Sequence, residues 1–424
     1  MLDIRKIREN PDLYRERLAR RNSGDEKSIA QVLLLDEQRR KRLQEGEALK
    51  SERNRVSKEL GMVKAKGGDI AEKSAEMKTA GEKIARIDQE LASGEAELTD
   101  ILLRIPNINH DSVPIGKTAE DNRIERVVGK PATFDFKPKP HWEIGAQRGL
   151  IDLDAATKIS GSGFIVFKGA GARLERALIN YLLDLHTGQH GYTEVSPPFM
   201  VRGECMVGTS QLPKFAEDMY GVGEEPPLYL VPTAEVPVTN LHREEILAAD
   251  RLPIRYAAYT PCFRREAGSA GKDTRGMIRV HQFDKIELVH IVTPEESYTA
   301  LEVLVGHAER VLKELGLHYR VLSLCTGDIG FGAAKCYDLE VWAPGVGAWL
   351  EVSSCSNFED FQARRMNLRY KNNEGKNIFC HTLNGSGLAL PRLYLALLET
   401  YQQADGHVLI PEPLRPYLGG LKEL

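Results

Sequence analysis

The stretch from residue 28 to residue 105 constrains the fold of this chain most strongly, because it contains no proline and no aromatic residue. Its apolar side chains recur every seven residues, which is typical of long helices that pair along one apolar seam. In the first half the repeat is interrupted by Arg42 and comprises Leu35, Leu49, Val56 and Val63. In the second half it is unbroken and comprises Ile70, Met77, Ile84, Leu91, Leu98 and Ile105.

Paired glycines separate the two halves of the repeat. Gly67 and Gly68 disfavour a helix, and Asp69 can cap the helix that follows. The sequence therefore predicts a long antiparallel helical hairpin, a coiled-coil arm, over about residues 28–105.

Charge is distributed unevenly over this hairpin. Residues 28–66 carry ten Lys/Arg against six Asp/Glu, whereas residues 69–104 carry five against nine. One interpretation is a solvated coiled coil with ion pairs between its helices. The other is that the basic helix contacts a nucleic-acid backbone. The cations concerned are Arg39, Arg40, Arg53, Arg55, Lys58, Lys64 and Lys66.

Composition limits the class of protein. With 424 residues and 42% apolar content, the chain can bury a large core and is expected to form two domains. The net charge of −4 argues against a general polyanion binder, and six scattered cysteines without a Cys-x-x-Cys pattern argue against a zinc site or disulfides. The N-terminus does not resemble a targeting segment, and the chain has no apolar run of membrane length. We therefore expect a cytoplasmic protein without zinc.

The composition changes after the hairpin. Residues 1–110 form the predicted N-terminal domain, residues 111–140 a linker rich in proline and glycine, and residues 141–424 a second domain. In this second domain helical periodicity over residues 171–186 precedes a strand-like run and Pro197-Pro198. Alternating helices and short strands favour an α+β fold.

The most specific segment begins at Phe263-Arg264-Arg265-Glu266 and continues through a glycine-rich loop to Arg279–Glu287. The two runs predict an antiparallel strand pair on which a cation, a carboxylate and an aromatic ring face one cleft. Arg264 can bind a phosphate, Glu266 can accept from an amine, and Phe283 can stack on a purine. An ordinary surface strand and a core aromatic ring are the alternatives.

This segment resembles motif 2 of the class II aminoacyl-tRNA synthetases, and in detail the seryl-tRNA synthetases of bacterial type. The resemblance covers the whole chain and extends to residues 232–235, 337–342, 351–357, 383–389 and 401–406. It implies an N-terminal arm that binds tRNA and a catalytic domain built on an antiparallel sheet flanked by helices. The 171–198 segment is similar to motif 1, which implies a homodimer.

The family resemblance assigns a nucleotide site and identifies ATP and Mg²⁺ as the expected substrate and ion. Arg264 would contact the α-phosphate, Arg392 after Pro391 would contact the γ-phosphate, and Glu351 would bind the ATP-bound Mg²⁺ together with Ser354. Glu340 is equally consistent with an exposed strand carboxylate. The implied catalytic residues are Arg264, Arg392 and Glu351. The implied ATP-binding set is Arg264, Arg265, Glu266, Val280, Phe283, Glu340, Glu351, Val352, Ser353, Ser354 and Arg392.

The resemblance also implies a serine pocket. Its residues would be Thr233, Ala234, Glu235, Glu287, Asn384 and Ser386. Such a pocket binds an ammonium group through a carboxylate and a small hydroxyl through hydrogen bonds, so that alanine would leave polar groups unpaired. The implied activity is formation of seryl adenylate and transfer of serine to tRNA(Ser), and to selenocysteine tRNA where that RNA is present.

Two other functions are compatible with this sequence pattern. One is a catalytically inactive relative that retains the fold and binds tRNA or a partner, but such a protein would be expected to lose a motif arginine or a pocket carboxylate. The other is a class II enzyme for a different amino acid, which the hairpin and the pocket residues disfavour.

Overall fold

The computed structural model describes residues 1–65, 71–267 and 275–424, without the side chains of Lys64 and Glu72. The predicted helix break at residues 66–69, which includes the arm cation Lys66, and most of the glycine-rich loop of motif 2 lie outside the described residues.

The chain divides into two compact units. One comprises Leu2–Ala19 with Ser23–Pro106, and the other comprises Asn107–Leu424 with Met1 and Arg20–Asn22. No helix among the described residues is long and apolar enough to cross a membrane.

The described residues of the first unit form four α-helices. They are α1 (Ile4–Glu9), α2 (Pro11–Ala19), α3 (Ser28–Ala65) and α4 (Ala71–Arg104). Ion pairs join α3 to α4, at 3.1 Å between Arg42 and Glu90 and at 2.8 Å between Lys50 and Asp88. Because the partner numbers fall in α4 as they rise in α3, the two helices are antiparallel. The predicted helical hairpin is confirmed.

The heptad repeat accounts for the contact between these two helices. Ile84, Leu98 and Ile105 of the unbroken repeat are buried. Gly46 of α3 is buried against α4, where an added Cβ would lie 3.4 Å from the side chain of Ile87, an ordinary van der Waals distance.

Several of the predicted arm cations form ion pairs within the hairpin. Arg39 and Arg40 donate to the buried carboxylate of Asp36 at 3.0 and 3.1 Å. Arg55 contacts Glu59 at 3.0 Å. The ion-pair interpretation therefore describes part of the basic helix, and contact with RNA remains a prediction.

The second unit contains fourteen β-strands among the described residues. In chain order they are β1 (Arg123–Val128), β2 (Thr193–Glu194), β3 (Met200–Arg202), β4 (Gly221–Val222), β5 (Leu228–Leu230), β6 (Ile246–Ala248), β7 (Ile254–Phe263), β8 (Gln282–Val292), β9 (Tyr319–Ser323), β10 (Lys335–Ala343), β11 (Ala348–Asn357), β12 (Arg369–Lys371), β13 (Asn377–Phe379) and β14 (His381–Ala389). Eight of them form the main sheet in the order β1-β9-β10-β11-β14-β8-β7-β2. All neighbours in this sheet are antiparallel except β2 and β7.

The described part of the second unit also contains α-helices, several of which pack on this sheet. They are α5 (His141–Gln147), α6 (Leu153–Ser160), α7 (Ala170–Gly188), α8 (Gly203–Gly208), α9 (Glu235–Thr239), α10 (Ser297–Glu314), α11 (Phe361–Met366) and α12 (Leu390–Tyr401). The amphipathic helices α7, α10 and α12 supply Leu178, Leu304 and Leu395 to the main hydrophobic core, where each is fully buried. The α+β class is confirmed.

A buried carboxylate fixes the far end of α12. Glu399 accepts from the backbone N–H of His141 at 2.9 Å and from its ring Nδ1 at 2.8 Å. It also accepts from the backbone N–H groups of Gly345 and Val346, at 2.8 and 3.0 Å. One side chain therefore joins α12 to α5 and to the turn between β10 and β11.

Two local expectations require correction. β7 ends at Phe263 and β8 begins at Gln282, so Arg264 and Glu266 follow the strand instead of forming part of it. Glu266 adopts a left-handed backbone conformation with φ of 52°. The predicted linker also contains β1, which pairs with β9 at the sheet edge. There Arg126 contacts both carboxylate oxygens of Glu309, at 3.0 and 2.6 Å.

Candidate active site

Two adjoining cavities lie where β7, β8, β11 and β14 meet the start of α12. The first cavity is lined by residues 277–280, by Phe283 and by the beginning of α12, and the second by residues 209–211, 233, 235 and 330–333. Four residues line both cavities: Arg264, Lys285, Glu351 and Ser386. The two cavities therefore form one continuous site.

Arg264 lies at the junction of the cavities. Its Nε donates to the carbonyl oxygen of Pro232 at 3.3 Å, and its guanidinium carbon lies 5.2 Å from the centre of the Phe283 ring. Its backbone N–H donates to the carbonyl of His281 at 2.9 Å, which joins the two sides of motif 2. These contacts orient a planar cation next to an aromatic ring.

Arg392 reaches the first cavity from the opposite side. Pro391 occupies the first turn of α12, where its missing N–H is not needed. Arg392 Nε donates to the carbonyl of Ile278 at 3.3 Å, and Nη1 donates to the carbonyl of Glu351 at 2.7 Å. The same nitrogen lies 3.6 Å from the carboxylate of Glu351. Arg264 and Arg392 therefore line one shared cavity.

Glu266 is held by a neighbouring cation. Arg279 Nη1 lies 3.3 Å from its carboxylate, and both residues line the first cavity. Arg265 is exposed and does not line either cavity, and its backbone N–H donates to the carbonyl of Asp218 at 3.0 Å. Of these two predicted ATP contacts, only Glu266 therefore lies in the cavity.

A buried carboxylate with three side-chain partners lies next to the second cavity. Glu287 is fully buried and accepts from Thr233 Oγ1 at 2.8 Å and from Asn384 Nδ2 at 3.0 Å. Lys285 forms an ion pair with it and lines both cavities. Glu287 therefore orients three side chains of the cavity without lining it.

Glu235 is a second buried carboxylate and does line the second cavity. It accepts from Gln362 Nε2 at 2.7 Å, and Gln362 in turn accepts from Thr382 at 2.7 Å. Burial, followed by the negative charge of Glu287, raises the pKa of Glu235 to about 7. A buried carboxylate with so little compensation favours a cationic ligand.

Oxygen donors that suit magnesium also line the second cavity. Glu351 and Ser354 both line the second cavity. Burial, followed by the charge of Glu351, raises the pKa of the neighbouring Asp338 carboxyl. No group of three or more metal-ligating side chains occurs among residues 1–65, 71–267 and 275–424. Mg²⁺ commonly takes only one or two carboxylates and completes its shell with phosphates and water, so these donors fit the predicted ion.

The structure brings most of the predicted site residues together. Those that line the two cavities are Thr233, Glu235, Arg264, Glu266, Val280, Phe283, Glu351, Val352, Ser354, Asn384, Ser386 and Arg392. Those that do not line them are Ala234, Arg265, Glu287, Glu340 and Ser353. Glu340 pairs with Arg320, and Ser353 donates to the carbonyl of Ser386 at 2.7 Å.

Two side chains of the site were not singled out from the sequence. Lys285 alternates with Phe283 and Glu287, so the two-residue period of a strand could have placed it on their face. Gln362 belongs to α11 and meets Glu235 across 127 residues of chain. No local pattern marks it.

Comparison with known proteins decides the family. Residues 1–109 match the model of the seryl-tRNA synthetase N-terminal domain, and residues 220–401 match the class II core domain of synthetases for Gly, His, Pro, Ser and Thr. The serine–tRNA ligase of Akkermansia muciniphila is 57% identical over 419 residues, covering 99% of this chain and 98% of the relative. The chain belongs to the seryl-tRNA synthetases. The serine–tRNA ligase of Methylacidiphilum infernorum is 55% identical over 417 residues, covering 98% of this chain and 99% of the relative.

Solved seryl-tRNA synthetases share the fold over the full chain. The enzyme of Pyrococcus horikoshii, complexed with ATP, matches with a TM-score of 0.93 and 39% identity, covering 100% of this chain and 99% of the other. The cytoplasmic enzyme of Naegleria fowleri, in complex with AMP, matches with a TM-score of 0.88 and 32% identity, covering 100% of this chain and 98% of the other.

Proposed function

We infer that this protein activates L-serine with ATP to form seryl adenylate and then transfers serine to tRNA(Ser). The observation that carries this inference is that Arg264 and Arg392 line one cavity, which continues into a second cavity containing buried Glu235. Attack of a carboxylate on a phosphate brings two anions together, so fixed cations must offset their charge.

ATP occupies the first cavity in this proposal. Arg264 binds the α-phosphate, Arg392 binds the γ-phosphate, and Glu266 accepts from the adenine amino group. Phe283 stacks on the adenine ring, and the backbone at Val280 lies along it. Their positions in the first cavity support these roles.

Magnesium is part of the proposed reaction. Glu351 and Ser354 would hold the ion against the phosphates, where it supplies positive charge to the pyrophosphate leaving group. Arg392 contacts both the backbone carbonyl and the carboxylate of Glu351 and so helps to orient this carboxylate.

Serine occupies the second cavity. Glu235 binds its ammonium group, and Thr233, Asn384 and Ser386 surround its hydroxyl. Because Glu287 fixes Thr233 and Asn384, these groups are preorganised for a small polar side chain. A site that hydrogen-bonds a hydroxyl rejects the analogue lacking it by roughly 10⁴-fold, which excludes alanine.

The remaining elements support tRNA charging. We propose that the basic face of α3 contacts tRNA, that the protein is a cytoplasmic homodimer joined through α7 and β2, and that selenocysteine tRNA is a further substrate where present. An inactive relative has no observation in its favour, because none of the groups whose loss would mark one is missing. These are Arg264, Glu266, Glu287, Glu351 and Arg392.

The test is serine-dependent exchange of pyrophosphate into ATP. Arg264→Ala is expected to lower the exchange rate by about 10²- to 10³-fold, the effect typical of removing one transition-state contact. Arg265→Ala is the matched control. It also removes one arginine, at the next position in the chain, but the side chain of Arg265 lines neither cavity. Equal activity of the two variants would contradict the assignment of motif 2.

The arm is tested separately. Deletion of residues 30–104 is expected to leave pyrophosphate exchange intact and to reduce serine transfer to tRNA strongly. Unchanged charging by the deleted protein would refute a role of the arm in tRNA recognition.

A further inference from the structure

A third cavity, here called the rear cavity, lies behind the ring of Phe283. It is lined by apolar side chains of α6 and of the segment that follows, including Ile159, Phe164 and Phe167. Phe283 and Pro391 line both the rear cavity and the first cavity. The rear cavity therefore adjoins the proposed adenine site at these two side chains, and it has no role in the reaction described above.

An unpaired carboxylate lines this apolar space. Glu175 of α7 is 7% exposed, and its Oε2 has no hydrogen-bond partner among the described residues. Burial, followed by the charge of Asp284, raises the pKa of Glu175 to about 8. Leaving such a group buried without a donor is costly, so a ligand that supplies one is favoured.

The groups around Glu175 are acidic or neutral. Asp284 of β8 also lines the rear cavity and accepts from Tyr259 of β7 at 2.9 Å. Tyr394 of α12 is fully buried, and its hydroxyl has no hydrogen-bond partner among the described residues. No lysine or arginine lines the rear cavity in the part of the chain that the structure describes. The cavity thus combines apolar walls with two carboxyl groups that no cation neutralises.

We propose that the rear cavity binds a small organic cation, a primary ammonium group carried on a compact apolar body. The ammonium donates to Glu175 and Asp284, and the apolar body contacts Phe164 and Phe167. An inorganic divalent cation does not suit this space, because it requires several oxygen ligands and the walls are hydrocarbon. Charge complementarity and the unpaired carboxylate together select the ligand class.

The experiment is isothermal titration calorimetry of the full chain with benzylammonium chloride, and with benzyl alcohol as the neutral probe of similar shape. We expect benzylammonium to bind at least about tenfold more tightly than the alcohol, because only the cation compensates Glu175. Glu175→Gln is expected to abolish this preference. Glu143→Gln, at an exposed position of α5, is the control with the same change of charge.

Proton release gives a second readout. At pH 7 a carboxyl with a pKa of about 8 is roughly nine-tenths protonated, so binding of an ammonium to its ionised form releases close to one proton. Titrations in two buffers of different ionisation enthalpy measure this number, which should fall in Glu175→Gln. Ile159→Trp, at an exposed position lining the cavity, is expected to weaken binding while retaining Glu175. Equal binding of amine and alcohol, an unchanged preference in Glu175→Gln, or undiminished binding of benzylammonium by Ile159→Trp would overturn the proposal.

Discussion

A buried ion pair, Lys285 with Glu287, joins two neighbouring positions on one face of β8 in the site. Lys285 and Glu287 are 5% and 0% exposed, and each contacts the other. Lys285→Met keeps most of the side-chain volume and removes the cation, which leaves the carboxylate of Glu287 buried without a counter-charge. Removal of one partner from a buried ion pair costs about 3–5 kcal/mol of stability.

The remaining contacts of Glu287 place the expected loss at the lower end of that range. Thr233 and Asn384 continue to donate hydrogen bonds at 2.8 and 3.0 Å, and hydrogen bonds to a charged group contribute about 1.5–3 kcal/mol each. We therefore expect Lys285→Met to lower the free energy of unfolding by about 3 kcal/mol. In the double variant Lys285→Met/Glu287→Gln neither member of the pair is left as an uncompensated charge. Its decrease in the free energy of unfolding should therefore be smaller, by about 2 kcal/mol, than the sum of the decreases in the two single variants.

Urea unfolding followed by near-ultraviolet circular dichroism measures these differences. Lys168→Met is the matched control, because it makes the same substitution in an exposed pair with Asp152 at 3.1 Å. That pair should contribute less than about 1 kcal/mol. Strict additivity in the double variant, or equal losses in Lys285→Met and Lys168→Met, would refute the reasoning.

Three further predictions concern the serine pocket and the backbone. The raised pKa of Glu235 predicts that kcat/KM for serine falls up to tenfold per pH unit below about pH 7, where the carboxyl becomes neutral, and a flat profile between pH 6 and 8 would contradict this. Gln362→Leu removes the donor that favours the ionised form of Glu235, so the midpoint of the same profile should move to higher pH. Gly171→Ala places a Cβ 2.3 Å from the backbone oxygen of Leu150 and should lower stability by about 1–3 kcal/mol. Gly306→Ala in α10 should raise stability by about 0.5–1 kcal/mol, because outside its own turn of helix no described atom lies within 4 Å of the added Cβ. Thermal unfolding of both glycine variants checks the sign of each change.

Elements with strong local periodicity were predictable from sequence. The heptads of residues 28–105 define the hairpin, because a seven-residue apolar repeat can be buried along a helix pair. The alternation of Phe283 and Glu287 in β8 likewise indicates a strand with one functional face. These patterns depend only on neighbouring residues.

Features that depend on tertiary contacts were not predictable. The pairing of β10 with β11 shifts register between Leu339 and Glu340. Such a bulge changes the direction of a side chain, and no residue type in the local sequence indicates it. Glu340 meets Arg320 of β9 beyond this bulge. The position of Arg264 after the end of β7, and the contact of Gln362 with Glu235, also depend on distant parts of the chain.

The four hydrogen bonds to Glu399 have a consequence for Arg392 at the other end of the same helix. An α-helix rises 1.5 Å per residue and behaves as a stiff rod, so the two residues lie roughly 10 Å apart and move together. If the hydrogen bonds to Glu399 were lost, α12 could shift and carry the guanidinium group of Arg392 with it. A misplacement of about 1 Å can lower the rate of a reaction by about 10²-fold. The aim of the proposed γ-phosphate contact thus depends on a side chain that ATP never touches.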